Sequence, residues 1–321
     1  MAHRIRIHQH GGPSVLQYEE VQVGEPGAHQ VRLRQEAIGV NFVDTMFRDG
    51  TIQVPLPFAV GVEGAGIIEA VGPDVSGLKA GDRVAYWFSF GAYADVRLVD
   101  AEALVKLPAG VSTEQAAAVF AKGLTAWALV KRVHVVKPGD TVLVHAAAGG
   151  VGSLTASWAQ ALGAKVIATV GSPEKAELVR ERGIAQVLDA NDPELAAKVK
   201  ALNGGKGVDV VYELVGATTF EQSVAALRDG GDLVHLGNAS GSPKVDAAVL
   251  AARSIRHVQP VTGQVVNDRS TLEIASKDVL SALVEGVFGT LRITRYPLSQ
   301  ASRAHEDIAA RRIAGSIVLT P

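Results

Sequence analysis

From residue 141 onward, short apolar runs alternate with stretches of helical apolar spacing. Residues 141–145, 165–170, 185–188, 208–212, 232–236 and 254–258 read as strands. Leu162-Gly163, Arg182-Gly183 and Asp229-Gly230-Gly231 read as stops between the intervening helices and the next strands. That alternation predicts an α/β domain with a doubly wound parallel sheet over 119–259. Before it the pattern breaks into short strands punctuated by Gly, Pro and Asp, as in 61–72 and 79–85, which suits a small irregular β-barrel. After it, 270–287 reads as a helix, 291–296 as a strand, 301–312 as a helix and 316–319 as a final strand. A strand that short needs partners, so it is expected to return to the first barrel. The barrel domain is then discontinuous, 1–118 and 260–321.

The 321 residues are long for a single core, which agrees with two domains. A net charge of −2 and a pI near 6.5 argue against nucleic acid or an anionic membrane as the main partner, leaving small molecules. No apolar run reaches the ~18 residues of a membrane span and no signal core opens the chain, so a cytoplasmic protein is expected. With no cysteine, disulfides, thiolate nucleophiles and cysteine-held metals are excluded.

The strand at 141–145 runs into Ala146-Ala-Ala-Gly-Gly-Val-Gly152, an A-x-G-x-x-G sequence with Ala147, Gly149 and Gly152 at the small positions. Small residues there allow a tight turn, close approach of backbone to a pyrophosphate, and close helix–strand packing. A helix beginning near Val151 would aim its N–H groups and positive dipole end at the phosphates. A tight turn without ligand would use the same glycines. The second strand ends at Val170, where NAD-binding folds place an acid against the ribose 2′-hydroxyl. Here Gly171-Ser172-Pro173-Glu174-Lys175 offers a hydroxyl and a cation instead, which predicts NADPH over NADH. The alternative reading is a helix start with Ser172 as cap and Lys175 and Arg180 on a solvated face. Glu174 is the nearest acid and would weaken the preference.

Six segments together resemble the quinone oxidoreductase or zeta-crystallin branch of the medium-chain dehydrogenases/reductases. They are Asn41-Phe-Val-Asp44, Gly61-Val-Glu-Gly64, Ala80-Gly-Asp-Arg-Val84, Lys122-Gly-Leu-Thr-Ala126, His145 to Gly152, and Gly237-Asn-Ala-Ser-Gly241. The likeness runs from near Met1 to Pro321 in the family's order. It implies a Rossmann domain set within a split GroES-like barrel, and a homodimer. It further implies an NADPH-dependent reductase of quinones, or of activated C=C bonds in enones, 2-alkenals or enoyl thioesters. A non-catalytic binder of nucleotides or AU-rich RNA is the remaining class of reading.

Zinc-dependent members of the superfamily place a cysteine at or beside position 42 and a histidine before Glu63. Here those positions hold Phe42 and Val62, and the four-cysteine insertion is absent. His3, His8 and His10 lack a paired ligand pattern, so no metal is expected. The resemblance assigns Asn41 and Thr125 to the nicotinamide end, and Ala148, Gly149, Gly150, Val151 and Gly152 to the pyrophosphate. It assigns Gly171, Ser172 and Lys175 to the adenosine phosphate, and Gly237, Asn238 and Ser240 to the ribose and nicotinamide edge. Asn41, Asp44, Met46 and Thr125 form the implied catalytic set. For Asn41 the alternative is an Asx turn at a strand end, for Asp44 the cap of a helix running to Arg48, and for Lys122 a solvated charge. Met46 stands where relatives carry a tyrosine, and Ala190 and Gln259 replace a tyrosine or histidine and an arginine. These changes alter the substrate surroundings and weaken the expected hold on NADPH.

Overall fold

A computed structural model of the protein describes residues 1–310 and 312–321. They fall into two compact units, Met1–Ala121 with Val279–Val284 and Leu291–Pro321, and Lys122–Asp278 with Glu285–Thr290. Residues 260–278 thus lie with the second unit rather than the first. One reason is local: Asp278 accepts hydrogen bonds from Trp127 Nε1 and Lys131 Nζ, each at 2.8 Å, and so anchors its helix there.

The first unit opens with β1 (Ala2–Ile7), β2 (Gln17–Val21) and β3 (Gln30–Val40), then helix α1 (Phe42–Asp49). β4 (Phe58–Ala59), β5 (Glu63–Val71), β6 (Arg83–Trp87), β7 (Val96–Asp100) and β8 (Leu104–Lys106) follow. Helix α2 (Thr113–Ala128) carries the chain into the second unit. β3 shows why this sheet has a wet and a dry end. Val31, Leu33 and Gln35 are buried in alternation with Arg32, Arg34 and Glu36, and then 37–40 is buried on both faces. Gln35 is accommodated because its amide donates to Ala92 O at 2.6 Å and Ala94 O at 2.5 Å and it accepts from Tyr86.

The second unit contains β9 (Thr141–Val144), α3 (Gly150–Ala161), β10 (Lys165–Val170), α4 (Pro173–Arg180), β11 (Gln186–Asp189), α5 (Leu195–Leu202) and β12 (Val208–Glu213). It continues through α6 (Phe220–Ala226), β13 (Leu227–His235), α7 (Ala247–Ala252), β14 (Arg256–Val258), α8 (Thr262–Val265) and α9 (Arg269–Val284), whose last turns belong to the first unit. Among the described residues its strands form one parallel sheet in the order β11-β10-β9-β12-β13-β14. This is the doubly wound arrangement expected from the alternating pattern. The expected stop at Asp229-Gly230-Gly231 instead lies inside β13. The register slips between Val208 and Val210, so the glycines form a bulge rather than an end.

The chain then returns to the first unit through β15 (Ile293–Pro297), α10 (Ala301–Ala309) and β16 (Ser316–Thr320). The helix expected over 301–312 stops at Ala309, and residue 311 of that span lies outside the described residues. β16 pairs parallel with β15 and antiparallel with β3, as its isolation in the sequence required. Ile317 and Leu319 thereby enter the same core as Ile5, Leu33, Ile68 and Tyr86.

Candidate active site

The strand order of the second unit reverses at β9, and the region outside the carboxyl ends of β9 and β12 is the place where open parallel sheets take ligands. Three of the segments singled out in the sequence lead away from such ends: 145–149 after β9, 171–172 after β10, and 236–241 after β13. The first strand stops at Val144 and α3 starts at Gly150, one residue earlier at each boundary than the sequence suggested. Ala146 carries φ +51°, a left-handed conformation uncommon for alanine that folds the turn back on itself. Gly149 caps α3 in an extended conformation and no side chain satisfies the helix start. A Cβ at Gly152 would meet backbone, 2.8 Å from Ala146 C and 3.0 Å from His145 O, so only glycine lets α3 sit this close to the strand end. A Cβ at Gly171 would meet nothing within 4 Å. The protein's own packing does not demand that glycine, and the open backbone can approach a ligand.

Behind this turn lies a buried polar cluster that spacing did not reveal. Glu213, at the end of β12, accepts from Val215 N at 2.8 Å, Gly216 N at 3.0 Å and Thr219 Oγ1 at 2.9 Å, and also from Ser223 Oγ. His145 links Thr169 Oγ1 at 2.8 Å to Ser223 Oγ at 2.9 Å, and its Nε2 stands 3.7 Å from Glu213. Burial alone would raise the Glu213 carboxyl, but His145 and the surrounding donors outweigh it and hold it below the usual range. Burial lowers His145, and the Glu213 carboxylate opposes that shift. The carboxylate shapes the loop 214–219. Gly216, at φ +108°, and Gly237 bring that loop against the one after β13, where a Cβ at Gly216 would stand 3.0 Å from Gly237 O.

Ser240 ties the same two loops together, donating to Val215 O at 3.0 Å and accepting from Thr218 N at 3.1 Å. Gln259 Nε2 lies 3.0 Å from His235 Nδ1, and His235 Nε2 lies 2.9 Å from Gly237 O, a line that steadies the glycine turn. Ser172 caps α4, accepting from Lys175 N at 3.4 Å. Its hydroxyl also bonds Glu174, which with the backbone holds that carboxyl below its ordinary range. An ionised acid therefore shares the turn with Lys175. Thr125 is half-buried and its hydroxyl lies 3.2 Å from that of Thr262. Lys122 is buried, which corrects the solvated-charge reading: α2 is apolar all round at that point.

In the first unit, Asn41 caps α1, and its backbone N–H donates to Asp44 Oδ2 at 2.8 Å. Its side chain donates from Nδ2 to Glu63 Oε1 at 2.9 Å, while Glu63 Oε2 accepts from Ala121 N at 2.8 Å. Asp44 is fully buried and so plays the capping role that the sequence allowed; Tyr93 also donates to it at 3.0 Å. Tyr93 Oη lies 2.9 Å from His305 Nε2, and Arg48 Nη1 lies 3.4 Å from His305 Nδ1. Burial, reinforced by Arg48, pushes His305 down to about 3, and burial with Asp44 pushes Tyr93 well up. A neutral imidazole and a neutral phenol thus connect the Arg48 cation to the Asp44 anion. Met46 lies half-buried on the same helix.

Family models agree with these two units. An alcohol dehydrogenase GroES-like domain matches residues 27–109, and a zinc-binding dehydrogenase matches residues 150–277. The quinone oxidoreductase of Pseudomonas aeruginosa is 44% identical, with 100% of each chain covered. The solved Escherichia coli quinone oxidoreductase complexed with NADPH superimposes with a TM-score of 0.95 at 40% identity, covering 99% of this chain and 100% of the other. A Burkholderia 2-haloacrylate reductase is 41% identical over 98% of both chains. The chain belongs to the quinone oxidoreductase family of the medium-chain dehydrogenases/reductases.

Family membership does not by itself supply a metal centre. Position 42 is an exposed phenylalanine and position 62 a buried valine, and Glu63 is committed to Asn41 and Ala121. Among the described residues no group of three or more His, Cys, Asp or Glu is placed to hold a metal ion. No described helix is long and apolar enough to cross a membrane. The family's glycine turn and Asn41 were legible in sequence. Glu63, Tyr93, His145, Glu213 and His305 were not, since their partners lie up to 257 positions away.

Proposed function

We propose that this protein is an NADPH-dependent quinone reductase that works without zinc. The observation that carries the reading is the glycine turn at the carboxyl end of β9, where backbone alone fills the space a side chain at Gly152 would need. Ala148, Gly149, Gly150, Val151 and Gly152 would hold the pyrophosphate at the uncapped start of α3. Gly171, Ser172 and Lys175 would hold the adenosine phosphate, and Gly237, Asn238 and Ser240 the ribose edge. Ser240 acts chiefly by fixing the loops, because its hydroxyl already donates and accepts. When bound, NADPH supplies the hydride.

In the first unit, Glu63 fixes the carboxamide of Asn41, and the buried Asp44 fixes the backbone beneath it. In the second, Thr125 presents a hydroxyl. Neutral donors of this kind suit the oxygen charge that develops on a quinone or enone. Met46 adds an apolar, adaptable surface in place of a phenol. Nothing in this set matches the polarising power of a metal, which favours electron-poor acceptors over simple ketones. The NADPH complex of the Escherichia coli relative and the quinone oxidoreductase name of the Pseudomonas relative support both cofactor and acceptor. The 2-haloacrylate reductase likeness favours a second reading, reduction of an activated C=C bond.

Absorbance of NADPH at a panel of quinones and enones, with NADH in parallel, tests the proposal. Rapid oxidation with quinones and a preference for NADPH is the expected result. Oxidation by enones alone would select the second reading, and cofactor binding without any turnover would leave the protein a nucleotide binder. A homodimer in the cytoplasm completes the proposal, and sedimentation equilibrium at micromolar concentration gives the mass.

A further inference from the structure

The side chain of Asn41 is held at both ends. Its Nδ2 donates to Glu63 Oε1 at 2.9 Å. With Asp44 it also forms a capping box at the start of α1, in which the Asn41 side chain faces the Asp44 N–H and the Asp44 carboxylate takes the Asn41 N–H at 2.8 Å. An amide carries two donors on nitrogen and an acceptor on oxygen, whereas a carboxylate only accepts, so Glu63 decides which end of the Asn41 amide turns toward it. One side-chain N–H goes to Glu63, and the oxygen is left for the helix start. The second N–H has no acceptor among the described residues, and Asn41 is only half-buried.

The carboxylate at 63 is itself fixed from two sides. Glu63 is fully buried on β5, and its Oε2 accepts from Ala121 N of α2 at 2.8 Å. Its register partner on β3 is Gly39, two residues before Asn41. A Cβ at Gly39 would collide with the Glu63 carboxylate and with Ala117 O, so the space the carboxylate occupies exists because β3 carries no side chain there.

We infer that Glu63 is a positioning residue that sets the polarity of the Asn41 amide, so that a ligand at this site meets an N–H and not a carbonyl oxygen. The group it meets is then an acceptor oxygen. On the quinone-reductase reading, on which this inference rests, that oxygen is the quinone carbonyl on which negative charge grows as hydride arrives. An amide turned the other way would place its own carbonyl oxygen against that charge. Glu63→Gln reverses the polarity with almost no change of shape. The Ala121 N–H belongs to the backbone and needs an oxygen, so the new amide nitrogen at 63 faces Asn41, and Asn41 must turn over to offer its oxygen. The hydrogen bond survives and its direction reverses.

The test compares the wild type, Glu63→Gln, and the double variant Asn41→Asp with Glu63→Gln. With 1,4-benzoquinone at saturating NADPH, kcat should fall at least about tenfold in Glu63→Gln. The dissociation constant for NADPH should stay within about threefold and the thermal midpoint within about 4 °C. In the double variant the amide at 63 donates to the carboxylate at 41, so the bond is intact but no N–H faces the ligand; stability should match the wild type while kcat stays low. A readout free of turnover is the side-chain amide resonance of Asn41 in asparagine-selectively 15N-labelled protein, assigned by its absence in Asn41→Asp. One of its protons should lie downfield through the bond to the carboxylate, and that shift should be lost in Glu63→Gln. An unchanged kcat or an unchanged resonance in Glu63→Gln overturns the inference. So does a kcat that recovers together with stability in the double variant, since the bond alone would then matter and not its direction. If the wild type binds NADPH yet turns over no quinone, the quinone-reductase reading fails, while the resonance still decides whether Glu63 orients the amide.

Discussion

Acidification should weaken this protein in part through His305, a buried imidazole of the first unit. His305 is fully buried, faces the Arg48 cation on α1 and the Tyr93 phenol, and titrates at about 3 in the fold against 6.5 in an exposed chain. Between those values the unfolded chain binds a proton that the native protein refuses, so stability rises with pH across the window. It is greatest above about 6.5, falls steadily as the pH drops, and levels off below about 3. From neutrality to pH 5 the unfolded side gains about 1.5 units of advantage at about 1.36 kcal/mol each, or about 2 kcal/mol. His305→Gln keeps a group able to accept from Arg48 and donate to Tyr93 but removes the titration. Urea unfolding followed by circular dichroism at pH 7.5 and pH 5 should show a difference about 2 kcal/mol smaller in the variant than in the wild type. Equal differences would refute the reasoning, since no neutral imidazole would then be bridging Arg48 and Tyr93.

Gly152→Val should place side-chain atoms against the backbone of 145–146, lifting α3 from the turn; NADPH titration should show affinity lost by at least tenfold. Lys175→Ala should remove about 1.5–3 kcal/mol of preference for NADPH over NADH, read as the ratio of the two dissociation constants; an unchanged ratio would shift that role to Ser172 and the backbone. Asn41→Ala takes one donor from the buried Glu63 and should cost about 1.5–3 kcal/mol in urea unfolding, together with a lower kcat for quinones. Glu213→Ala strips the acceptor from Val215, Gly216, Thr219 and Ser223, and should lower the thermal midpoint and raise the KM for NADPH together.

The sequence by itself determined the parts of this protein that depend on near neighbours. Alternating apolar runs separated by glycine stops imply a parallel sheet, because a strand buried on both faces and a helix with one apolar stripe have few other ways to pack. The turn from Ala146 to Gly152 is legible for the same reason: a fingerprint within one turn needs no partner from elsewhere. Asp44 could be read as a cap because its partner, Asn41, is three residues away. The third dimension decided what lies between distant residues. Whether Asp229-Gly230-Gly231 ends a helix or bulges within β13 depends on the register of β12 against it. Lys122 looked solvated from its charge and is buried by its neighbours on α2. The carboxylates at 63 and 213 are spent on donors that only the fold assembles, the neutral state of His305 follows from its burial and from Arg48 lying 257 positions earlier, and the backbone of 89–90, beside the left-handed Phe88, is held by Arg97 of β7. Local patterning fixes dihedral preferences and apolar faces; the ionisation and orientation of a buried group are set by whatever charge and hydrogen-bond donors the rest of the chain brings within a few ångströms.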